Sequence, residues 1–453
     1  MKAAPAHLKL PPGPKGRFLI GNMLELGRDW MGFLSRSACE YGDVVFFSFF
    51  TSPLCLLIHP RDIEYVLVTN QSNFVKSRDY RVLAQILGNG LLTSEGEIWQ
   101  GQRKLVQPAF RHENIIAYGK LMVDCTERML QGWQDGKTRD VHTEMMRLTL
   151  EIIARALFGA RISEKAAAIS GAVQVMMEQF TRHANLSFII PEKLPVPISF
   201  ALRRGVRPLD DAVYSIIRDR RAHPDASEDL LNALLQTVHE DGSPMTDREL
   251  RDEMVTLLLA GHETTALALS WTWYLLSQHP EVETKLWKEL DAVLGGRAPT
   301  VADLPQLRYT EMVVKESLRL YPPAWGIGRK AVREFEIGGY WLPAGTNVFL
   351  TQWLTHRDPR FYPEPELFNP ERWADDPIRS GKLSRFGYFP FGGGPRVCVG
   401  AAFASMEAVL LLAAIAQRFR LILVPNQRIE ILPSVTLRPR YGIQMIFNRR
   451  TKT

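Results

Sequence analysis

The residues best placed to do chemistry lie in Phe391-Gly392-Gly393-Gly394-Pro395-Arg396-Val397-Cys398-Val399-Gly400, immediately ahead of an apolar stretch from about Ala401 to Gln417. Glycines at 392, 394 and 400 let backbone approach a ligand closely and adopt φ values that other residues avoid. Arg396 places positive charge two residues before the sulfur, and the helix expected after the loop turns its N-terminus toward it. Both favour the thiolate, the form of cysteine that ligates metal. Six of these residue types (Phe391, Gly392, Gly394, Arg396, Cys398, Gly400) coincide by chance on the order of 10⁻⁸ per window. A metal-ligating loop is therefore the reading, against an inert cysteine in a glycine-rich turn.

Three further segments carry unusual chemistry for their surroundings. Ala260-Gly261-His262-Glu263-Thr264-Thr265 sits inside the largely apolar run from Met254 to Ser277. A carboxylate and two adjacent threonines are poor choices for a buried helix, which suggests a working polar centre. Trp99 and Arg103 form an i, i+4 pair just after a glycine-containing loop. Glu316 and Arg319, within Thr310 to Leu320, share one helix face. Such a pair is usually an ordinary solvated ion pair, so its weight comes from its position along the chain.

In the order of these segments along the sequence, and over nearly its whole length, the chain resembles the cytochrome P-450 superfamily of haem-thiolate monooxygenases. The resemblance implies a mainly α fold with smaller β-sheets, a triangular prism of a dozen or so helices around a buried haem b. Cys398 would be the iron ligand, in a loop built on Phe391, Gly392 and Gly400. Its thiolate would push electron density onto iron and favour O–O cleavage. Ala260 and Gly261 would open the groove where O2 sits, and Glu263 and Thr264 would organise water and deliver protons to the distal oxygen. His262 matches no ligand of the family and reads as a core histidine. Trp99, Arg103, Arg329 and Arg396 match contacts to the haem propionates, where guanidinium geometry suits carboxylates. Glu316, Arg319 and Arg372, the last in Asn369-Pro370-Glu371-Arg372-Trp373, resemble an architectural network of the family.

The elements that must position these residues are legible in outline. A Pro-rich lead-in, residues 1–14, precedes a single domain over 15–453, with no internal repeat or linker. Val44 to Phe50 and Leu54 to Ile58 read as strands; from about Ile63 helical periodicity dominates, broken by Gly and Pro clusters at Leu87 to Gly90, Pro191 to Pro197 and Gly295 to Pro299. Phe335 to Leu342 reads as a hairpin and Val348 to Leu350 as the next strand. The irregular run from Asp358 to Pro395 is long enough to expect a function for it.

Composition narrows the class. Of 453 residues, 46% are apolar and 23% charged, ordinary values for a packed globular chain. The net charge of +6, from 55 basic against 49 acidic residues, is scattered and forms no run, so nucleic acid is not an expected partner. Four irregularly spaced cysteines suggest neither a disulfide framework nor a zinc site, and reduced thiols in a cytoplasmic protein are the expectation. Met1 to Leu10 is too short and polar for a signal or an anchor, and Glu263 in the apolar run argues against a membrane span. The resemblance implies a monomer fed with electrons from NAD(P)H by a separate ferredoxin or flavodoxin and its reductase. With the sequence ending at Thr453, a fused reductase is not expected. An acidic partner would dock on the Cys398 side, using Lys104, Arg111 and their neighbours.

The substrate that the resemblance implies is a hydrophobic small molecule: a fatty acid, terpenoid, steroid or polyketide. The wording of 260–265 and the hairpin are closer to fatty-acid hydroxylases and microsomal-type members than to the camphor-hydroxylase type. Leu83, Ile86, Leu87 and Leu91, with Met177, Phe180 and Phe188, correspond to regions that wall the family's pocket. Two other readings remain: a peroxide-driven peroxygenase or isomerase, against which the intact Glu263-Thr264 pair argues, and a non-catalytic haem sensor, for which no output segment is visible.

Overall fold

The fold comes from a computed structural model, which describes residues 9–49, 52–159, 171, 200–223 and 229–450. Met177, Phe180 and Phe188 lie outside the described residues. Helices run α1 (Met23–Arg28), α2 (Trp30–Tyr41), α3 (Pro60–Glu64), α4 (Asp79–Leu87), α5 (Gly96–Val106), α6 (His112–Gln131) and α7 (Val141–Phe158). They continue as α8 (Phe200–Ala222), α9 (Leu230–Leu235), α10 (Asp247–Gln278), α11 (Pro280–Leu294), α12 (Arg308–Leu320), α13 (Gln352–Thr355) and α14 (Ala401–Ala416).

Strands β1 (Val44–Phe49), β2 (Ser52–Leu57), β3 (Phe74–Lys76), β5 (Ile327–Ala331) and β8 (Asn347–Leu350) form one sheet in the order β1-β2-β8-β5-β3. Only β2 and β8 pair in parallel. The hairpin β6 (Phe335–Ile337) and β7 (Tyr340–Leu342) is where the sequence places it. A second sheet, β4 (Lys137–Asp140), β12 (Gln444–Arg449) and β9 (Phe419–Leu423), and the pair β10 (Ile431–Pro433) and β11 (Leu437–Pro439), are not apparent from the sequence pattern. Their strands are short and bring the C-terminal segment back to α7 and α10.

The frame is α10. Thr246 caps it through a reciprocal box with Glu249, satisfying orphan N–H groups at its start. Both of its halves are buried, 250–258 and most of 262–276. It packs on α7, α8, α12 and α14 within the main apolar cluster. Around Gly261 the approach of α7 is close: a Cβ there would lie 2.9 Å from Ile153 Cδ1. Helix α14 is almost wholly apolar and buried from Met406 to Ala416, so it can sit only in the centre of the protein. The Pro-rich segment is tied down where it is described. Lys9 O accepts from Trp341 N at 3.0 Å and Pro12 O from Phe46 N at 2.8 Å, because a proline-rich stretch still offers carbonyls. No helix among the described residues is long and apolar enough to cross a membrane.

Candidate active site

The loop before α14 is built on its own backbone. Cys398 N donates to Phe391 O at 3.0 Å, Val397 N to Gly394 O at 3.1 Å, and Gly392 N to Phe389 O at 2.9 Å. Gly392 and Gly394 take φ of 73° and 67°, and a Cβ on Gly394 would run into Leu67 O. Gly400 differs from expectation. It has an ordinary φ of −88°, and its role is to start α14 with its N–H on the Cys398 sulfur.

Cys398 retains exposed surface, yet surrounding protein pushes its thiol pKa up. The Gly400 N–H and the Arg103 guanidinium pull it back down. Exposed surface on a residue so closely surrounded is what a cysteine lining an internal space would show. A second break in burial lies on α10, where Ala260 is exposed and Gly261 and Thr264 are half-buried between two buried stretches.

Basic side chains gather by the loop. Arg103 reaches from α5 to donate to Val397 O at 2.9 Å, and Arg396 stacks its guanidinium 4.3 Å from the Trp99 ring centre. Arg396 also donates to Ser94 O at 3.2 Å and pairs with Glu95. Arg329, 8% exposed on β5, is paired in register with Lys76 on β3. Lys76, which no motif singles out, donates to Ser94 O at 2.8 Å. Burial and the repulsion of Arg396 lower its pKa to about 7. Cationic groups crowded until one is driven toward neutrality make a site that favours an anionic guest. Sulfur ligand, interior space and a cationic rim fit a flat, iron-bearing cofactor with carboxylate side chains.

Glu263 and Thr264 are adjacent but turn to different partners. Thr264 Oγ1 donates to Ala260 O at 2.7 Å. Glu263 Oε1 accepts from Thr436 Oγ1 at 2.6 Å and is ion-paired with Arg438 of β11. Both partners are missing from the sequence reading, since nothing in a strand near the C-terminus announces contact with α10. His262 is buried, its Nε2 3.0 Å from Met146 O, and burial lowers its pKa to about 4, which keeps the ring neutral.

Away from this space, Glu316, Arg319 and Arg372 come together. Arg319 grips Glu316 with two bonds of 2.9 Å, both side chains fully buried, and Arg372 Nε lies 3.3 Å from Glu316 Oε1. Of the apolar wall residues, Ile86, Leu87 and Leu91 are buried in the main cluster and Leu83 packs against it half-buried. On the surface, Lys104 is already ion-paired with Glu240.

An α-rich fold around a cysteine loop, with a cationic rim and a polar break in a long central helix, defines the haem-thiolate class. The chain belongs to the cytochrome P450 family, whose model matches residues 11–447. It is 37% identical to cyclooctatin synthase of Streptomyces melanosporofaciens over 437 residues, 96% of this chain and 95% of that one. It is 38% identical to cyclooctat-9-en-7-ol 5-monooxygenase of the same organism over 412 residues, 90% and 88% of the two chains. Pentalenene oxygenase of Streptomyces avermitilis is 32% identical over 421 residues, 92% and 93%. A retinoic-acid-bound cyanobacterial CYP120A1 superposes with a TM-score of 0.84 at 27% identity, covering 98% of this chain and all of that one. The chain is a haem monooxygenase acting on hydrophobic small molecules with O2 and a redox partner.

Proposed function

We propose that this monooxygenase hydroxylates a cyclic terpenoid, with Cys398 as iron ligand and electrons passed from NAD(P)H by a separate ferredoxin or flavodoxin. Cyclooctat-9-en-7-ol 5-monooxygenase and pentalenene oxygenase, similar over about nine-tenths of the chain, support the substrate class. The observation that carries the site is the accessible sulfur of Cys398 within a crowded loop beside Arg103, Arg329 and Arg396. The reading extends to a monomer in the cytoplasm, where thiols such as the exposed Cys39 stay reduced.

Haem supplies O2 activation and C–H oxidation, and the protein supplies orientation, protons and exclusion of water. Arg329, Arg396, Arg103 and Trp99 hold its carboxylates, with Lys76 added to that set. The small, exposed side chain of Ala260 would leave room for O2, whereas the missing side chain of Gly261 makes way for Ile153 of α7, which corrects its expected share in opening the groove. The Thr264 hydroxyl spends its proton on Ala260 O, so its oxygen remains free to accept from a water in the groove. Glu263, its carboxylate fixed by Thr436 and Arg438, orders the water behind Thr264 through which protons arrive. Leu83, Ile86, Leu87 and Leu91 keep the pocket dry.

Thr264→Ala tests the proton assignment. The variant should bind haem, consume NADPH and leak peroxide, with product per NADPH falling severalfold; tight coupling would refute it. Substrate class is tested by spin-state spectral titration against terpenoids and fatty acids, followed by product analysis with NADPH and partners. Shifts and oxygenated products from fatty acids alone would overturn the terpenoid reading. Turnover by peroxide alone, equal to that with NADPH, would favour the peroxygenase.

A further inference from the structure

The N-terminal half of α10 carries polar groups that this chemistry leaves unused. Arg251, Asp252 and Glu253 are consecutive and buried. Arg251 donates to Ile86 O at 2.8 Å, to Asp252 Oδ1 at 2.9 Å and, through Nε, to Asp210 Oδ1 of α8 at 2.8 Å. Asp252 Oδ2 accepts from Asn89 N at 2.8 Å and Glu253 Oε2 from Leu91 N at 3.1 Å. The three side chains thus fasten the end of α4 and the segment after it, which carry Leu87 and Leu91, onto α10.

Fastening does not account for everything there. Glu253 is fully buried, yet its Oε1 has no hydrogen-bond partner among the described residues. Nearly one turn on, Thr256 Oγ1 is also buried and unpartnered. Gly90 lies directly on it, since a Cβ at 90 would run into Thr256 Oγ1. A clamp needs neither group, because glutamine would accept from Leu91 N and valine would fill the volume of Thr256. Buried polar atoms without partners are rare enough to call for a missing one.

Helix geometry says where the missing partner lies. At about 100° per residue, Glu253, Ala260 and Thr264 fall within about 40° of one another, and Thr256 about 60° from Glu253. Seven residues, about 10 Å of helix axis, separate Glu253 from the accessible Ala260. The orphan atoms continue the stripe that opens at the reaction centre, under a loop that walls the pocket. Their chemistry is that of a donor-plus-acceptor pair. Burial raises the Glu253 carboxyl to about 8, so at neutral pH it keeps a proton to donate, as does the Thr256 hydroxyl. The group that complements such a pair in an apolar pocket is a hydroxyl.

We propose that Glu253 and Thr256 form a polar subsite for a hydroxyl already present on the hydrophobic substrate, so that the substrate is an alcohol. An earlier oxygenation or hydration must then supply it, and this chain adds a further oxygen at a distance from the first. Because Asn89 N and Leu91 N are bonded to Asp252 and Glu253, the segment 88–91 has to release those bonds to admit the hydroxyl and remake them over it. The inference rests on the terpenoid reading above.

The test is spin-state titration of the haem-loaded enzyme with pairs differing by one hydroxyl: abietadiene with abietadienol, and cedrane with cedrol. The alcohol should bind about tenfold or more tightly in each pair that binds. Thr256→Val should narrow that ratio to about threefold or less without lowering the melting temperature, and Glu253→Gln should narrow it by a smaller factor. Equal binding of alcohol and hydrocarbon, or a ratio untouched by Thr256→Val, overturns the subsite and leaves the terpenoid reading standing. If neither member of any pair binds, the terpenoid reading falls and the subsite falls with it.

Discussion

Two arginine clusters in this molecule look alike in sequence and differ in what they lack. Around Glu316 every charge is answered. Arg319 is fully buried but bonds Glu316 twice, and its other N–H groups meet His356 O at 2.8 Å, Pro365 O at 2.7 Å and Leu367 O at 3.1 Å. Glu316 is completed by Trp373 Nε1 and Asn369 N, both at 3.0 Å. Around the cysteine loop, Lys76, Arg329 and Arg396 face Glu95 and Asp79, and burial raises the pKa of Asp79. A saturated cluster holds architecture, whereas a cluster with cations in excess is shaped for an anion brought from outside. On the function proposed above, that anion is the pair of haem carboxylates.

The largest effect should come from the saturated cluster. Arg319→Ala strands Glu316 in the interior at a cost of about 3–5 kcal/mol, so soluble, folded protein should be nearly lost, as read by yield and denaturant unfolding. Near-wild-type stability would mean that the network is ornamental. Arg396→Gln should do the opposite. Circular dichroism of the haem-free chain should be preserved, while haem affinity falls by about 1.5–3 kcal/mol through loss of a charged hydrogen bond.

The pH response separates the clusters further. Lys76 titrates near 7 in the haem-free fold but near its ordinary 10.5 when unfolded. Between those values the unfolded chain holds more protons, so this contribution makes haem-free stability rise with pH, by about 1–2 kcal/mol after solvent screening. Lys76→Met should flatten that rise in a series of denaturant melts, and haem loading should shrink it. The smallest effect belongs to the surface. Because Lys104 already pairs with Glu240, Lys104→Glu with Arg111→Glu should slow reduction by a ferredoxin only about threefold at low salt, and not at all at high salt.

What the sequence makes legible follows the range of the interactions. Local patterns locate α10, α14, the hairpin β6–β7, and the Glu316–Arg319 contact, where the partners sit three residues apart on one helix. The cysteine loop is legible because its glycines and its sulfur occupy adjacent positions. Contacts across long separations are not. Arg438 lies 175 residues from Glu263, and Lys76 more than 300 from Arg396, and no periodicity links them. The strands β9 to β12 escape notice for other reasons than length: β12 pairs with β4 about 300 residues before it, and the turn between β10 and β11 has none of the glycines that mark the hairpin β6–β7. Gly261 reads as part of a polar centre, yet its lack of a side chain also serves the close approach of α7.

The central claim is that Cys398 holds the iron, and the ferrous–carbon monoxide spectrum of folded, haem-loaded protein tests it directly. The account predicts a Soret band at the red-shifted position of thiolate-ligated haem, lost in Cys398→His even where haem is retained. A wild-type band at the position of histidine-ligated haem would contradict it.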